Sequence, residues 1–133
     1  MKDTLISFET AKLAKEKGFN IPCRYWYYHP YPNTGVLQEP YTNEFDTNSN
    51  EINNCTAPTQ SLLQKWLREK HKKSIHVFLG KLIGGFIGFG YNVHDLNADD
   101  IFDDARKRVY HKAAFDTYES ALDDALIETL KTL

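Results

Sequence analysis

Cys55 is the residue whose possible chemistry is easiest to define, because it lies just before a strong helical pattern. The positive end of a helix dipole can lower the pKa of a nearby thiol and favour the nucleophilic thiolate. No histidine and asparagine pair is placed to complete a thiol-hydrolase site, and small buried cysteines are common. A thiol-dependent enzyme using Cys55 is therefore an alternative hypothesis, and we expect a protein without catalytic activity.

Two segments approach the pattern of ligand-binding loops but lack essential residues. The segment GGFIGFG, residues 84–90, has neither the GxGxxG spacing nor the lysine ending of a phosphate-binding loop. The run from Asp95 to Asp99 alternates oxygen donors as a calcium loop does, but Asp100 replaces the required glycine and Arg106 the required glutamate. We predict a bent strand for the first segment and a solvated acidic loop over 95–104, where weak cation binding stays open.

The five histidines show no spacing typical of a zinc site. His76 and His94 fall on two predicted strands and could meet across a sheet. Ordinary surface or half-buried histidines are the simpler interpretation. We therefore predict no metal ion and no cofactor.

Two groups of basic residues could hold phosphate. The first lies on or beside the solvent face of the predicted central helix and the second lies near a late strand: Lys65, Arg68, Lys72 and Lys73, then Arg106, Lys107, Arg108 and Lys112. If folding brought the groups together near aromatic rings, the surface could bind phosphates and stack bases. Alternatively, the cations complement the helix dipole and Glu69 pairs with Lys73. Nucleic-acid binding is thus an alternative function, and contiguity of the two groups would favour it.

The third candidate surface is aromatic. Tyrosine and tryptophan are enriched at protein interfaces, and six of them lie close together in the sequence: Tyr25, Trp26, Tyr27, Tyr28, Tyr31 and Tyr41. About half of this set must enter the core. We expect an accessory protein that binds a protein partner or itself, since a small aromatic-rich domain without a motif most often acts in this way.

The chain is organised around one helix and one strand in the segment 57–79. Thr59, Leu62, Leu63, Trp66, Leu67 and the stem of Lys70 share one helical face, which must be buried. Pro58 suits the first turn, and Thr56 is the predicted N-cap. Ile75, Val77 and Leu79 then alternate as in a half-buried strand, and Gly80-Lys81 is the predicted hairpin turn.

The other helices and strands are predicted from composition and from capping and turn-forming residues. Ser7 and Gly18 bound a first helix, and Asp116 begins a last helix with a broad apolar face. Strands are predicted over 23–29, 35–38, 82–94 and 107–111, with a polar loop over 39–55. These elements predict an α+β fold in which three helices pack largely on one face of a mainly antiparallel sheet of about four or five strands.

Length and charge limit the classes of protein to which the chain could belong. A chain of 133 residues with a net charge of -2 fits one domain, 1–133, and provides no overall field that attracts nucleic acid. The amino-terminal residues lack the apolar core of a signal peptide, and the longest apolar run is too short to span a membrane. Two isolated cysteines suit a reduced compartment. We therefore expect a cytoplasmic protein without a membrane partner.

Three segments carry a resemblance to other proteins. SFETAKLAKEKGF, APTQSLLQKWLREKH and TYESALDDAL resemble, in wording and order, a group of small uncharacterised proteins from anaerobic gut bacteria and their phages. The resemblance covers about half of the chain. It implies a bacterial or phage intracellular origin, and it implies no activity and no site residue.

Overall fold

A computed structural model describes residues 4–31, 34–38, 48, 53–81, 87–96 and 108–133. Within these ranges the helices are α1 (Phe8–Glu16), α2 (Gln60–Lys70) and α3 (Tyr118–Lys131), and the strands are β1 (Trp26–Tyr31), β2 (Thr34–Gln38), β3 (Asn54–Thr56), β4 (Lys73–Lys81), β5 (Ile87–Asp95) and β6 (Arg108–Phe115). The chain divides into two compact units, Met1–Leu62 and Leu63–Leu133. Helices combined with antiparallel strands confirm the predicted α+β class.

The described strands form two antiparallel sheets, in the orders β2-β1-β3 and β4-β5-β6. The residue pattern predicts one sheet, and β3 falls inside the polar loop predicted over 39–55. Asparagine disfavours strands, but backbone pairing of Asn54 and Cys55 with Tyr28 and Tyr27 outweighs that local preference. The rest of that loop, apart from Asn48 and Asn53, lies outside the described residues. A single domain with all three helices on one face of the sheet stays a prediction.

Helix α1 begins and ends where the sequence predicts. The Ser7 hydroxyl accepts a hydrogen bond from the Thr10 backbone N–H at 3.3 Å, which caps the first turn. Gly18 takes φ +92°, a left-handed conformation that favours glycine after a helix. The chain then turns back, and the Phe19 side chain is buried. These local signals were sufficient to predict the helix.

One face of the first sheet packs against Phe8 of α1. The Phe8 ring centroid lies 5.6 Å from that of Tyr27 and 5.2 Å from that of His29. A Cβ atom at Gly35 would clash with the same ring, so the close approach of α1 to β2 requires glycine there. The Tyr27 hydroxyl donates a hydrogen bond to the Ile6 carbonyl at 2.7 Å. Tyr27 is therefore a structural residue of the first unit.

Helix α2 begins later than predicted. Thr59 is its N-cap, since its hydroxyl accepts a hydrogen bond from the Leu62 N–H at 3.2 Å. The predicted cap, Thr56, is wrong because that residue pairs with Trp26 in the first sheet. Leu63, Trp66 and Leu67 are buried as predicted. Lys70 is exposed, although its stem was expected on the buried face.

Helix α3 packs across all three strands of the second sheet. Its N-cap is Thr117, which accepts from the Ser120 N–H at 3.1 Å, one residue after the predicted cap Asp116. The register pairs Ile75 with Val93 and Val77 with Tyr91, so these residues share the sheet face that α3 covers. The apolar side of α3 is buried as its periodicity predicts, at Ala121, Leu122, Ala125, Leu126 and Leu130.

Strands β4 and β5 continue beyond the predicted turn. Gly80 pairs with Gly88 and Lys81 pairs with Ile87, so Gly80-Lys81 belongs to β4 and the predicted turn is wrong. The connection falls in residues 82–86, outside the described ranges. The register of β5 with β6 shifts between Phe89 and Gly90. This irregularity lies among the closely spaced glycines of the segment 84–90, for which a bent strand is predicted.

Candidate functional site

The two cysteines are buried free thiols of the first unit. Burial raises the pKa of Cys55 to about 11, even though Lys15 and Lys12 act in the opposite direction. Burial also raises the pKa of Cys23 to about 11. The expectation that a helix dipole lowers the pKa of Cys55 is therefore wrong in direction, because desolvation of the thiolate dominates. This result removes the main support for a thiol nucleophile.

The strongest charged feature of the second unit is a group of lysine and arginine residues at the end of α2 and the start of β4. We call it the basic segment; it consists of Lys65, Arg68, Lys70, Lys72 and Lys73. The nine residues 65–73 contain these five cations and one carboxylate, Glu69, in a chain whose net charge is -2. All members except Lys73 are exposed. The segment thus concentrates positive charge that the whole protein lacks.

Lys73 differs from the other members because it has an ionic partner. Its ammonium lies 3.1 Å from a carboxylate oxygen of Asp95, which is the residue opposite it on β5. The predicted pairing of Lys73 with Glu69 is therefore replaced by a cross-strand pair. Among the described residues, no carboxylate lies within ion-pair distance of the other four members.

The second predicted basic group is only partly described. Arg106 and Lys107 lie outside the described residues, whereas the backbones of Arg108 and Lys112 belong to β6. The strand register aligns Ser74, His94 and Arg108 in one row across the second sheet. With a strand spacing of about 4.8 Å, this row brings the Arg108 backbone within about 10 Å of the Ser74 backbone. The first residue of β6 therefore lies at the same end of the sheet as Lys73.

The backbone at Lys72 is unusual. Lys72 has φ 56°, the only positive value at a non-glycine position in the described chain. A left-handed conformation costs a non-glycine residue about 1 to 2 kcal/mol. Its carbonyl accepts a hydrogen bond from the Leu96 N–H at 2.7 Å, which joins the end of α2 to the end of β5. A lysine thus occupies a turn position where glycine would be less strained.

His71 lies inside the basic segment and packs against the core. Its ring meets the edge of Trp66 with centroids 4.6 Å apart. Its Nε2 atom is buried and has no hydrogen-bond partner among the described residues. Burial lowers the pKa of His71, and Lys70 and Lys73 lower it further. Each cause disfavours the imidazolium, so His71 adds no strong positive charge at neutral pH.

The predicted aromatic residues whose side chains the structure describes do not form one exposed patch. Tyr25, Trp26 and Tyr27 are half-buried, and Tyr28 is 43% exposed. Tyr28 pairs with the exposed Val36 on the neighbouring strand. Tyr41 and the Tyr31 side chain lie outside what the structure describes. The aromatic set thus contributes mainly to the first unit's packing.

A different apolar patch lies on the second unit, and the sequence analysis did not identify it. The hairpin patch consists of Leu79, Ile87 and Tyr118, which are 62%, 74% and 43% exposed. Leu79 pairs with Phe89, whose ring centroid lies 6.3 Å from that of Tyr118. Alternation placed Leu79 with Ile75 and Val77 on the face predicted to be half-buried. The exposure of Leu79 and Ile87 could not be read from periodicity, because it depends on where α3 begins.

The other sequence candidates gain little support. His76 and His94 lie on one sheet face, where His76 pairs with Asn92 and His94 with Ser74. No group of three or more His, Cys, Asp or Glu residues suited to a metal ion occurs among the side chains that the structure describes. Asp95 is engaged by Lys73, and the remainder of the 95–104 loop, apart from Leu96, lies outside the described ranges. Within those ranges, no helix has the length and apolar character needed to cross a membrane.

Comparisons with protein-family models, with curated proteins and with solved structures found no match.

Proposed function

We propose that this protein binds nucleic acid through the phosphate backbone, using the basic segment. The observation that supports the proposal is the concentration of exposed lysine and arginine side chains at the α2–β4 junction, at the same sheet end as the backbone of Arg108. Exposed cations can replace the counterions that surround phosphate. The local concentration of cations within residues 65–73 distinguishes this surface from a dispersed set of surface lysines. Binding without catalysis agrees with the raised pKa of both thiols.

The proposal is tested by combined substitution of three exposed members. Lys65→Gln, Arg68→Gln and Lys70→Gln together remove charge and keep polar side chains on the helix surface. We expect at least a tenfold loss of affinity for a labelled oligonucleotide in fluorescence anisotropy at about 50 mM salt. The matched control is Lys131→Gln, since Lys131 is an exposed lysine of α3 that already lies 3.7 Å from Glu128. Equal affinity of the triple variant and the control would refute the proposal.

A protein-interaction function remains a second candidate, supported by the hairpin patch. Three large apolar side chains that are 43% to 74% exposed and adjacent are an uncommon feature on a small protein surface. Self-association is the simplest form of this candidate. Sedimentation should then show a mass that rises with concentration, and Ile87→Lys should abolish the rise. A monomer at all concentrations would exclude self-association through this patch.

The cellular location is a further proposal. We propose a cytoplasmic accessory protein of bacterial or phage origin. The proposal rests on the sequence resemblance. Immunoblotting of cell fractions would test the location, and recovery in the membrane fraction would contradict it.

A further inference from the structure

The second sheet has one face that α3 covers and one opposite face with a different composition. Strand residues alternate between faces, so Ile75, Val77 and Leu79 lie on the α3 side. The opposite face carries Ser74, His76 and Phe78 on β4, together with Asn92 and His94 on β5. These side chains are aromatic or able to hydrogen-bond. The face is therefore unlike the apolar face that packs against the helix.

Two rings on this opposite face are stacked. The His76 and Phe78 ring centroids lie 6.2 Å apart with an interplanar angle of 28°. His76 is exposed, while Phe78 is half-buried beside Gly80. Phe78 thus lies beside the outer ring. An exposed flat ring beside a second ring is a suitable surface for stacking a nucleobase.

The stacked rings lie close to the basic segment. His76 follows Lys73 by three residues along β4, a backbone separation of about 10 Å at the usual strand rise. The Lys73 side chain lies with Ile75 on the α3 side of the sheet and pairs with Asp95, so phosphates beside His76 are left to the exposed members that precede β4, such as Lys70 and Lys72. Cations that follow the phosphate backbone beside aromatic rings that stack bases are the recurring features of single-strand binding surfaces. A duplex cannot use the rings in this way, because its bases already stack on one another. The basic segment alone would hold a duplex and a single strand alike.

We infer that this protein prefers single-stranded nucleic acid, with unpaired bases stacking on His76 while the basic segment holds the phosphates. The inference rests on the proposed function, which it makes more specific. Ser74, Asn92 and His94 lie on the same sheet face as the His76 and Phe78 rings, and they provide polar groups for the edges of the stacked base. Sequence preference is weak in this arrangement, since every base offers a ring face.

The test compares single strands with a duplex while the ring at position 76 is changed. His76→Gln removes the ring and keeps polarity, whereas His76→Phe keeps a flat ring. Labelled thymidine and uridine oligonucleotides of about 15 nucleotides and a duplex of equal length are titrated in fluorescence anisotropy. We expect His76→Gln to lose at least about fivefold in single-strand affinity and His76→Phe to retain affinity, with duplex affinity unchanged in both. The two oligonucleotides distinguish DNA from RNA as the favoured strand.

The matched control is Tyr118→Gln, which removes an exposed ring from α3, on the other side of the sheet. Circular dichroism checks that each variant folds. The inference is overturned if His76→Gln leaves single-strand affinity unchanged, or if it weakens duplex binding equally. In both cases the loss caused by the triple variant of the basic segment would still support the proposed function. Failure of the unaltered protein to bind any of the three probes would overturn the proposed function itself.

Discussion

Lys72 shows how one residue can combine backbone strain with a surface charge. Its φ of 56° lies in the left-handed region, and its exposed side chain belongs to the basic segment. Strained residues concentrate at functional sites because surrounding structure must hold them. Here the hydrogen bond from the Leu96 N–H to the Lys72 carbonyl contributes to that restraint.

Lys72→Gly should therefore separate stability from binding. Glycine adopts positive φ without steric cost, so we expect the free energy of unfolding to rise by about 0.5 to 1 kcal/mol. The same change removes one cation and should weaken oligonucleotide binding. Lys72→Ala is the control, because it loses the charge but keeps the backbone strain. Urea denaturation that shows no gain for glycine over alanine would contradict this account.

The buried cysteines predict low thiol reactivity. With a pKa of about 11 each, Cys23 and Cys55 carry little thiolate at neutral pH. We expect both thiols to resist iodoacetamide in the folded protein and to react rapidly once urea unfolds the chain. Mass spectrometry counts the modified sites. Rapid modification of Cys55 in the folded protein would restore the thiol-enzyme hypothesis.

Two histidines predict how stability depends on pH. Burial lowers the pKa of His29 and His71, and neighbouring lysines lower both further. Their folded-state pKa lies below the unfolded value of about 6.5, so the unfolded chain binds more protons in acid. This stability contribution is present above about pH 6.5 and is lost as the pH falls through that value. Urea midpoints at about pH 7.5 and 5.5 should differ less in a His29→Gln, His71→Gln variant than in the unaltered protein.

At the scale of elements, α3 and the second sheet are joined by a specific hydrogen bond. The buried Tyr91 of β5 donates to a carboxylate oxygen of Asp124 at 2.6 Å. Periodicity predicted that Tyr91 and the apolar side of α3 would be inward-facing, because alternation and the 3.6-residue repeat are local properties. It did not predict this pair, since polar partners depend on how the helix crosses the strands.

Tyr91→Phe tests the contribution of that bond. The change removes one hydroxyl without altering the ring, and we expect a loss of about 1 to 2 kcal/mol in the free energy of unfolding. Asp124→Asn keeps an acceptor and should cost less. Urea denaturation followed by tryptophan fluorescence gives both values. A smaller loss for Tyr91→Phe than for Asp124→Asn would show that the hydroxyl contributes little.

At the scale of the whole molecule, charge distribution matters more than net charge. The chain carries -2 overall, yet five cations occur within residues 65–73. A local group of this kind can bind phosphate at short range even when the total charge gives no attraction. Salt dependence is therefore more informative than affinity at one condition.

Oligonucleotide affinity should fall with salt in proportion to the phosphates neutralised. Each contact adds about 0.7 to 0.9 to the slope of log affinity against log salt concentration. The triple variant of Lys65, Arg68 and Lys70 should lower that slope by about 2 to 3. Glu128→Gln on α3 changes net charge by one unit outside the basic segment, and it should leave the slope unchanged. An affinity that does not fall with salt would rule out phosphate recognition.

The sequence by itself determined the local elements and the buried sides of the helices. Ser7, Gly18 and the apolar repeat of α3 acted through contacts within a few residues, so local spacing was sufficient. It also identified the cations of the basic segment, although it assigned Lys70 to the wrong face. Only the tertiary structure decided that β3 forms a strand, that the strands divide into two sheets, and that Arg108 aligns with Ser74. Those outcomes depend on pairing between residues far apart in the chain, which no local pattern encodes.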